Sequence, residues 1–335
     1  TPENVNERDR TPIAEVSYEF AVADGEVTFG DPAPTGPSPS GDETDPLYVT
    51  VDEAFITANG LDGSVSAGTY GLADIKVAAE DLATHGNDPT QSAFYALYKA
   101  LLDKQVMKYG NPGAAPYFQL KVDGRYLPLQ LIGICQDTKS DGTGKAGLTF
   151  QMRDIYAFGG MRSIAAGGGA FGTYMNSSAT NSGGWASSAM RSTLRSTFWG
   201  YLPASMQAAI VPVDKLHQLS GGTDASKLDE STDETIWLPS LYEVSGASLS
   251  GYNESEALTS VAGYAPFQYM AYQPGGTNFA NTNAVKTYNG SASYWWLRSA
   301  LRSTTYNFCR VNADGGHVDD NAANNAIGAA PCFCM

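Results

Sequence analysis

Tyr294-Trp-Trp-Leu-Arg-Ser299 starts a stretch whose composition sets it apart from the rest of the chain. Apolar and aromatic residues this dense mark a buried strand. From Ser299 through Ala330 there is no Lys, Glu, Gln, Trp or Met, although all five occur elsewhere. At this chain's composition such a joint absence arises on the order of once in a hundred segments. The five types share a property of the genetic code. Randomising the adenines of an Asn codon that ends in a pyrimidine yields polar, aromatic, aliphatic and Arg codons, but never these five or a stop. A Gly/Asn/Ala-rich surface loop with no such history is the plainer explanation, and composition alone leaves the two close to even.

The neighbouring residues shift that balance. Trp295-Trp296-Leu297-Arg298-Ser299 is followed by Asn307-Phe308-Cys309, Val311-Asn312, Asp314-Gly315-Gly316 and Gly328-Ala329-Ala330-Pro331. This pattern resembles the variable proteins of diversity-generating retroelements, in which a Trp-Leu-Arg-Ser strand precedes a segment of Asn-coded positions interleaved with fixed residues. Upstream, Trp185 with Met190-Arg-Ser-Thr-Leu194 and the block Ile236-Trp-Leu-Pro-Ser-Leu-Tyr-Glu-Val244 resemble a helix and a strand of the bacterial and phage C-type-lectin-like family that accompanies such regions. The common ending of that family is Gly-Val-Arg-Pro. Here Gly328-Ala-Ala-Pro331 stands in its place, so no site is assigned to the missing Arg.

The resemblance covers roughly residues 116–335 and implies an α+β, C-type-lectin-like (formylglycine-generating-enzyme-like) domain with short strands, two helices and long loops. It implies a ligand- or receptor-binding protein with a diversified surface, on a phage virion or a bacterial cell surface, that recognises a protein or glycan. The variable region spans about 299–330. Leu301, Arg302, Thr304, Thr305, Tyr306, Arg310, His317, Asp319, Asp320 and Ile327 are then replaced positions, and Asn312, Asn321, Asn324 and Asn325 unaltered ones. That mixture of aromatic, charged and small polar groups suits an adaptable contact surface, with Tyr306 and the two Arg residues as its strongest anchors. Trp295, Leu297, Phe308, Val311 and Phe333 are expected to be scaffold that locks the segment to the core.

Before residue 115 a smaller α+β unit, 1–114, is expected. It has a hairpin over 13–30 around Asp24-Gly25, a Pro/Gly/Ser-rich segment at 31–45, a strand at Leu47-Tyr-Val-Thr-Val51 and two helices, the stronger from about Pro89 to Met107. A second hairpin turns at Asp123-Gly124. Residues 159–184 and 218–234 read as polar loops. A helix is expected after Trp185 with Met190, Leu194 and Phe198 inward, and a shorter one from Pro203.

With 335 residues the chain has ample length for a core, and a formal charge of −15 argues against a nucleic-acid partner, which demands a basic footprint. No stretch is long and apolar enough for a membrane-spanning helix and no leader opens the chain, although it begins at Thr1 rather than Met. The four cysteines form no disulfide framework. Cys332 and Cys334, two apart on one strand, are half of a metal site or two small buried side chains, and the lack of a second ligand pair favours burial. His85, His217 and His317 suggest no triad, so no catalytic residue and no cofactor is assigned. A calcium-dependent lectin built on Asp314, Asp319, Asp320, Asn321, Asn324 and Asn325 is the chief rival, since hard cations take such oxygens, but turn-forming preference explains the cluster equally well. A structural virion or surface protein is the third class, and the oligomeric state is open.

Overall fold

The computed structural model describes residues 20–23, 26–29, 36–105, 116–156, 174–219, 228–245, 284–288, 290–301, 303–313 and 318–335. β1 (Phe20–Ala23) and β2 (Glu26–Phe29) pair antiparallel; the expected turn residues Asp24 and Gly25 lie outside the described residues. Then come β3 (Leu47–Val51), α1 (Glu53–Ala58), β4 (Gly68–Tyr70), α2 (Leu72–Thr84) and α3 (Tyr95–Lys104), the last after a 3-10 turn at Pro89–Gln91. The expected long helix is therefore two pieces. Next are β5 (Phe118–Val122), β6 (Arg125–Ile134) and β7 (Leu148–Met152). α4 (Ala189–Thr193) runs through a π-helical turn at Leu194–Phe198 into α5 (Trp199–Tyr201), and α6 (Ala204–Gln207) follows Pro203. The chain continues with β8 (Val213–Gln218), β9 (Leu228–Glu234), α7 (Leu241–Ser245), β10 (Lys286–Tyr288), β11 (Ser291–Ser293), β12 (Trp295–Ala300), β13 (Asn307–Val311), β14 (Val318–Ala322) and β15 (Cys332–Cys334). The architecture is α+β, with several small antiparallel sheets and few helices.

The largest sheet has six antiparallel strands in the order β15-β7-β6-β5-β3-β4. It crosses the expected boundary near residue 114, because Leu47 and Tyr48 of β3 pair with Leu120 and Gln119 of β5. The paired positions Leu131, Phe150 and Phe333 put large apolar groups on one face. There Tyr98 of α3 stacks on Phe118 at 6.3 Å, Phe118 meets Phe150 edge-on at 5.0 Å, and Phe150 meets Phe333 at 5.4 Å. The alternation in β5, with Phe118, Leu120 and Val122 buried, gives that face from sequence. Between β6 and β7, a Cβ at Gly147 would lie 1.9 Å from the Ala79 carbonyl oxygen of α2, so the absent side chain lets helix and sheet meet. The last strand, β15, is completed from outside by Trp237, whose backbone exchanges hydrogen bonds of 3.0 and 2.8 Å with Cys332.

Two segments read as loops carry structure. Leu228–Glu234 forms β9 despite four acidic residues, because pairing with β8 outweighs its weak strand preference. Within 159–184, the described residues 174–184 include fully buried Met175 and Asn181. Conversely, the block 236–244 is not one strand. Trp237 makes a single bridge, and Leu241–Ser245 is a helix whose first turn is closed by Ser240 and Glu243: the Ser240 amide donates to Glu243 at 2.7 Å and the Glu243 amide to the Ser240 hydroxyl at 3.0 Å. The helix after Trp185 buries Met190, Leu194 and Phe198, and α6 buries Met206.

Candidate binding surface

The segment from Tyr294 onward folds as a three-stranded antiparallel sheet, β12-β13-β14. Trp295, Trp296, Leu297, Phe308 and Val311 are fully buried, and Phe333 lies in the adjoining large sheet with 1% exposure. Main-chain bonds tie β12 to the segments that lead into β15 and α7: Trp296 donates to Gly328 at 2.8 Å, Gly328 to Tyr294 at 3.0 Å and Arg298 to Pro239 at 2.9 Å.

Beneath this sheet the motifs meet through buried charge. Arg298 is wholly inside. Its Nη1 contacts Glu243 Oε2 and donates to Leu238 O at 2.9 Å, while Nε and Nη2 donate to Leu216 O at 3.1 and 3.0 Å. Ser299 accepts from the Leu241 amide at 2.7 Å. Burial alone would raise Glu243, yet Arg298 and Lys215 outweigh it and hold the carboxyl down to about 2. The Trp185 helix is tied on in the same manner, since Glu234 accepts from the Trp185 indole at 3.2 Å and from Arg191 Nε at 2.5 Å.

The stretch between β12 and β13 is held by its own main chain. The fully buried Asn181 directs its Nδ2 at the carbonyl oxygens of Leu301 (3.2 Å), Thr304 (2.9 Å) and Asn307 (2.9 Å), and its backbone amide donates to Thr305 O at 2.9 Å. Ala323 N donates to Tyr306 O at 2.8 Å and Asn176 N to Ala323 O at 3.0 Å. The side chains of the stretch are mostly not needed for these bonds. Thr305, Asn324 and Asn325 are exposed, Tyr306 is 46% exposed, and Thr304, Arg310, Asp320 and Asn321 are half-buried. Arg310 is pinned in place: it stacks on Tyr294 at 4.1 Å and donates to Asn312 Oδ1 at 2.6 Å and to Asp320 O at 3.3 Å. Asp320 also accepts from Asn307.

Three expected display residues are not on the surface. Leu301 and Ile327 are 5% and 7% exposed because both border the Trp295–Phe308 core, where burying an aliphatic side chain is favourable by about 2 kcal/mol. Asn312 is 9% exposed, covered as the acceptor of Arg310. Arg302 and His317 lie outside the described residues, as does the side chain of Asp319. Asn181, the residue that holds the loop, was missed. It sits in a Gly/Ser/Asn-rich stretch without periodicity, and nothing local to Asn181 marks it as buried.

Two other polar interiors frame this region. Lys215 is enclosed with Asp137 and Glu243, and Lys286 donates to the carbonyls of Met152 and Arg153 at 2.7 and 3.2 Å beneath the Trp295 ring. Burial pushes Lys286 down to about 8 from an ordinary value of 10.5, with Asp154 opposing. Between those two values the unfolded chain holds more protons than the folded one, so this group makes stability rise with pH. Replacing Lys286 by Met should remove about 2 kcal/mol of that rise between about pH 7 and about pH 9.5, measured by urea unfolding of both proteins. Parallel pH profiles would refute it.

An α+β protein with a C-terminal sheet of buried aromatic residues beneath a main-chain-held polar loop is the class these features define. Residues 149–335, more than half of the chain, match the family described as Domain of unknown function (DUF6273), and the chain belongs to that family. No curated protein and no solved structure matches it.

Proposed function

We propose that the protein is a binder, not an enzyme, and that it contacts its ligand through the surface formed by Thr304, Thr305, Tyr306, Asp320, Asn321, Asn324 and Asn325. The single observation carrying this reading is the Asn181 clamp, which holds the backbone at Leu301, Thr304 and Asn307 through three carbonyl oxygens and does not engage the exposed side chains of Thr305 and Tyr306. A loop held mainly through its carbonyl oxygens, with the Thr304 hydroxyl adding one bond from the Asn307 amide at 3.2 Å, is suited to altering specificity at its exposed positions without unfolding. Tyr306 is the expected anchor, as a large exposed aromatic amid small polar groups. Arg310 organises the surface from below. The resemblance to variable proteins of diversity-generating retroelements, and with it a lectin-like fold and recognition of a protein or glycan on a cell surface, belongs to this proposal.

Two measurements test it. A displayed library randomised at Thr305, Tyr306, Asn324 and Asn325 should retain folding in most members, each within about 1 kcal/mol of the parent, and should yield binders to unrelated immobilised proteins. A library that mostly unfolds defeats the proposal. The gene supplies the second: a near-copy of the final coding stretch, differing only at adenines, should lie beside a reverse transcriptase.

A further inference from the structure

Outside the binding surface, Asp137, Lys215 and Glu243 converge in the interior. Lys215, at the middle of β8, has no exposure, and Asp137 and Glu243 are 6% and 1% exposed. The Lys215 ammonium touches Asp137 Oδ1, lies 3.0 Å from Glu243 Oε1, and sits over the Trp237 ring at 3.5 Å. The other Asp137 oxygen, Oδ2, accepts from the Thr149 hydroxyl at 2.5 Å and from the Cys334 thiol at 3.4 Å.

We propose that Lys215 and Asp137 join in an intramolecular isopeptide bond, with Glu243 transferring the proton, so that the connection after β6 is covalently clamped to β8. The groups needed for a condensation are already in place. An amine and a carboxyl group are held in contact away from water, where a neutral amide is favoured over two buried charges. Oδ2 faces two donors that stabilise the oxyanion formed when the carbonyl carbon becomes tetrahedral. Glu243 stays a carboxylate because Arg298 and the Ser240 amide hold its second oxygen, which leaves Oε1 to act as base toward the nitrogen.

Lys215 gives one proton to Asp137 Oδ1, producing a neutral amine and a carboxylic acid. The nitrogen lone pair attacks Cγ, forming the N–C bond and placing the negative charge on Oδ2. Glu243 Oε1 removes a second proton from the nitrogen and passes it to Oδ1. The Cγ–Oδ1 bond breaks, Oδ1 leaves as water with both protons, and Oδ2 becomes the amide carbonyl. No oxidant or other reactant is required, and Glu243 ends unchanged.

The two residues are 78 positions apart, so the bond would close a large loop and restrict the unfolded chain. Intact mass spectrometry of the denatured full chain tests the proposal directly. The expected mass is about 18 Da below that of the sequence, for one lost water, and proteolysis should release a branched peptide joining the Asp137 and Lys215 segments. The sequence mass unchanged, or water lost without that branched peptide, overturns it. Lys215→Arg should restore the full mass. Glu243→Gln should slow bridging on the order of a hundredfold when followed by mass after refolding, and unchanged kinetics would remove Glu243 from the mechanism. A variant that does not fold leaves the decision with the wild-type mass.

Discussion

Arg298→Met should destabilise the protein by about 4 kcal/mol, the cost of leaving a buried charge and its neighbours without their partner. The substituted side chain is of similar length and apolar, so lost volume is not the cause. Glu243 would lose its guanidinium partner, and the carbonyls of Leu216 and Leu238 would lose donors in the interior. The double variant Glu243→Met with Arg298→Met should cost less than the sum of the two single changes, because removing both charges abolishes the orphan. Equilibrium denaturation of the four proteins gives the coupling directly. Additive losses would mean that the pair is not a unit. The same contact sets an acid limit. Since Glu243 is held down to about 2 from an ordinary 4.5, its contribution is complete above 4.5 and is lost as pH falls from there toward 2.

Asn181→Asp is expected to have the second largest effect, about 3 kcal/mol. The change is nearly isosteric, yet it removes both N–H donors and turns a carboxylate toward the carbonyl oxygens of Leu301, Thr304 and Asn307. The damage should be local first. Amide hydrogen exchange should accelerate at residues 303–307 while β5, β6 and β7 remain protected. An Asn181→Asp protein with unchanged exchange in the loop would show that the side chains, not Asn181, hold it, and the proposed basis of the binding surface would fail with it.

The periodicities that were legible are those of elements with a clear inside and outside. Phe118, Leu120 and Val122 alternate, and Met190, Leu194 and Phe198 recur at helical spacing, so strand and helix could be read with their buried faces. The dense apolar run of β12 was equally plain. What misled was composition. Leu228–Glu234 looks too acidic for a strand and 174–184 too small and polar for an interior, but pairing with β8 and burial of Met175 and Asn181 depend on residues far along the chain. In the variable-looking segment, codon logic marked Leu301 and Ile327 with Tyr306, although the first two face the core and the third faces solvent. A replaced codon says nothing about where its side chain points.

From its sequence alone this chain declares an α+β composition, a formal net charge of −15, the scaffold residues Trp295, Leu297, Phe308, Val311 and Phe333, and a polar stretch between them. Only the tertiary structure decides that strands before and after residue 114 share one sheet, that Glu243 and Arg298 meet, that Lys215 lies between two carboxylates, and that Asn181 reaches three carbonyls some 120 positions away. The physical reason is range. Hydrophobic periodicity is written in neighbours a few residues apart, whereas a buried polar group is tolerable only when distant segments bring its partners, and no local pattern encodes that meeting.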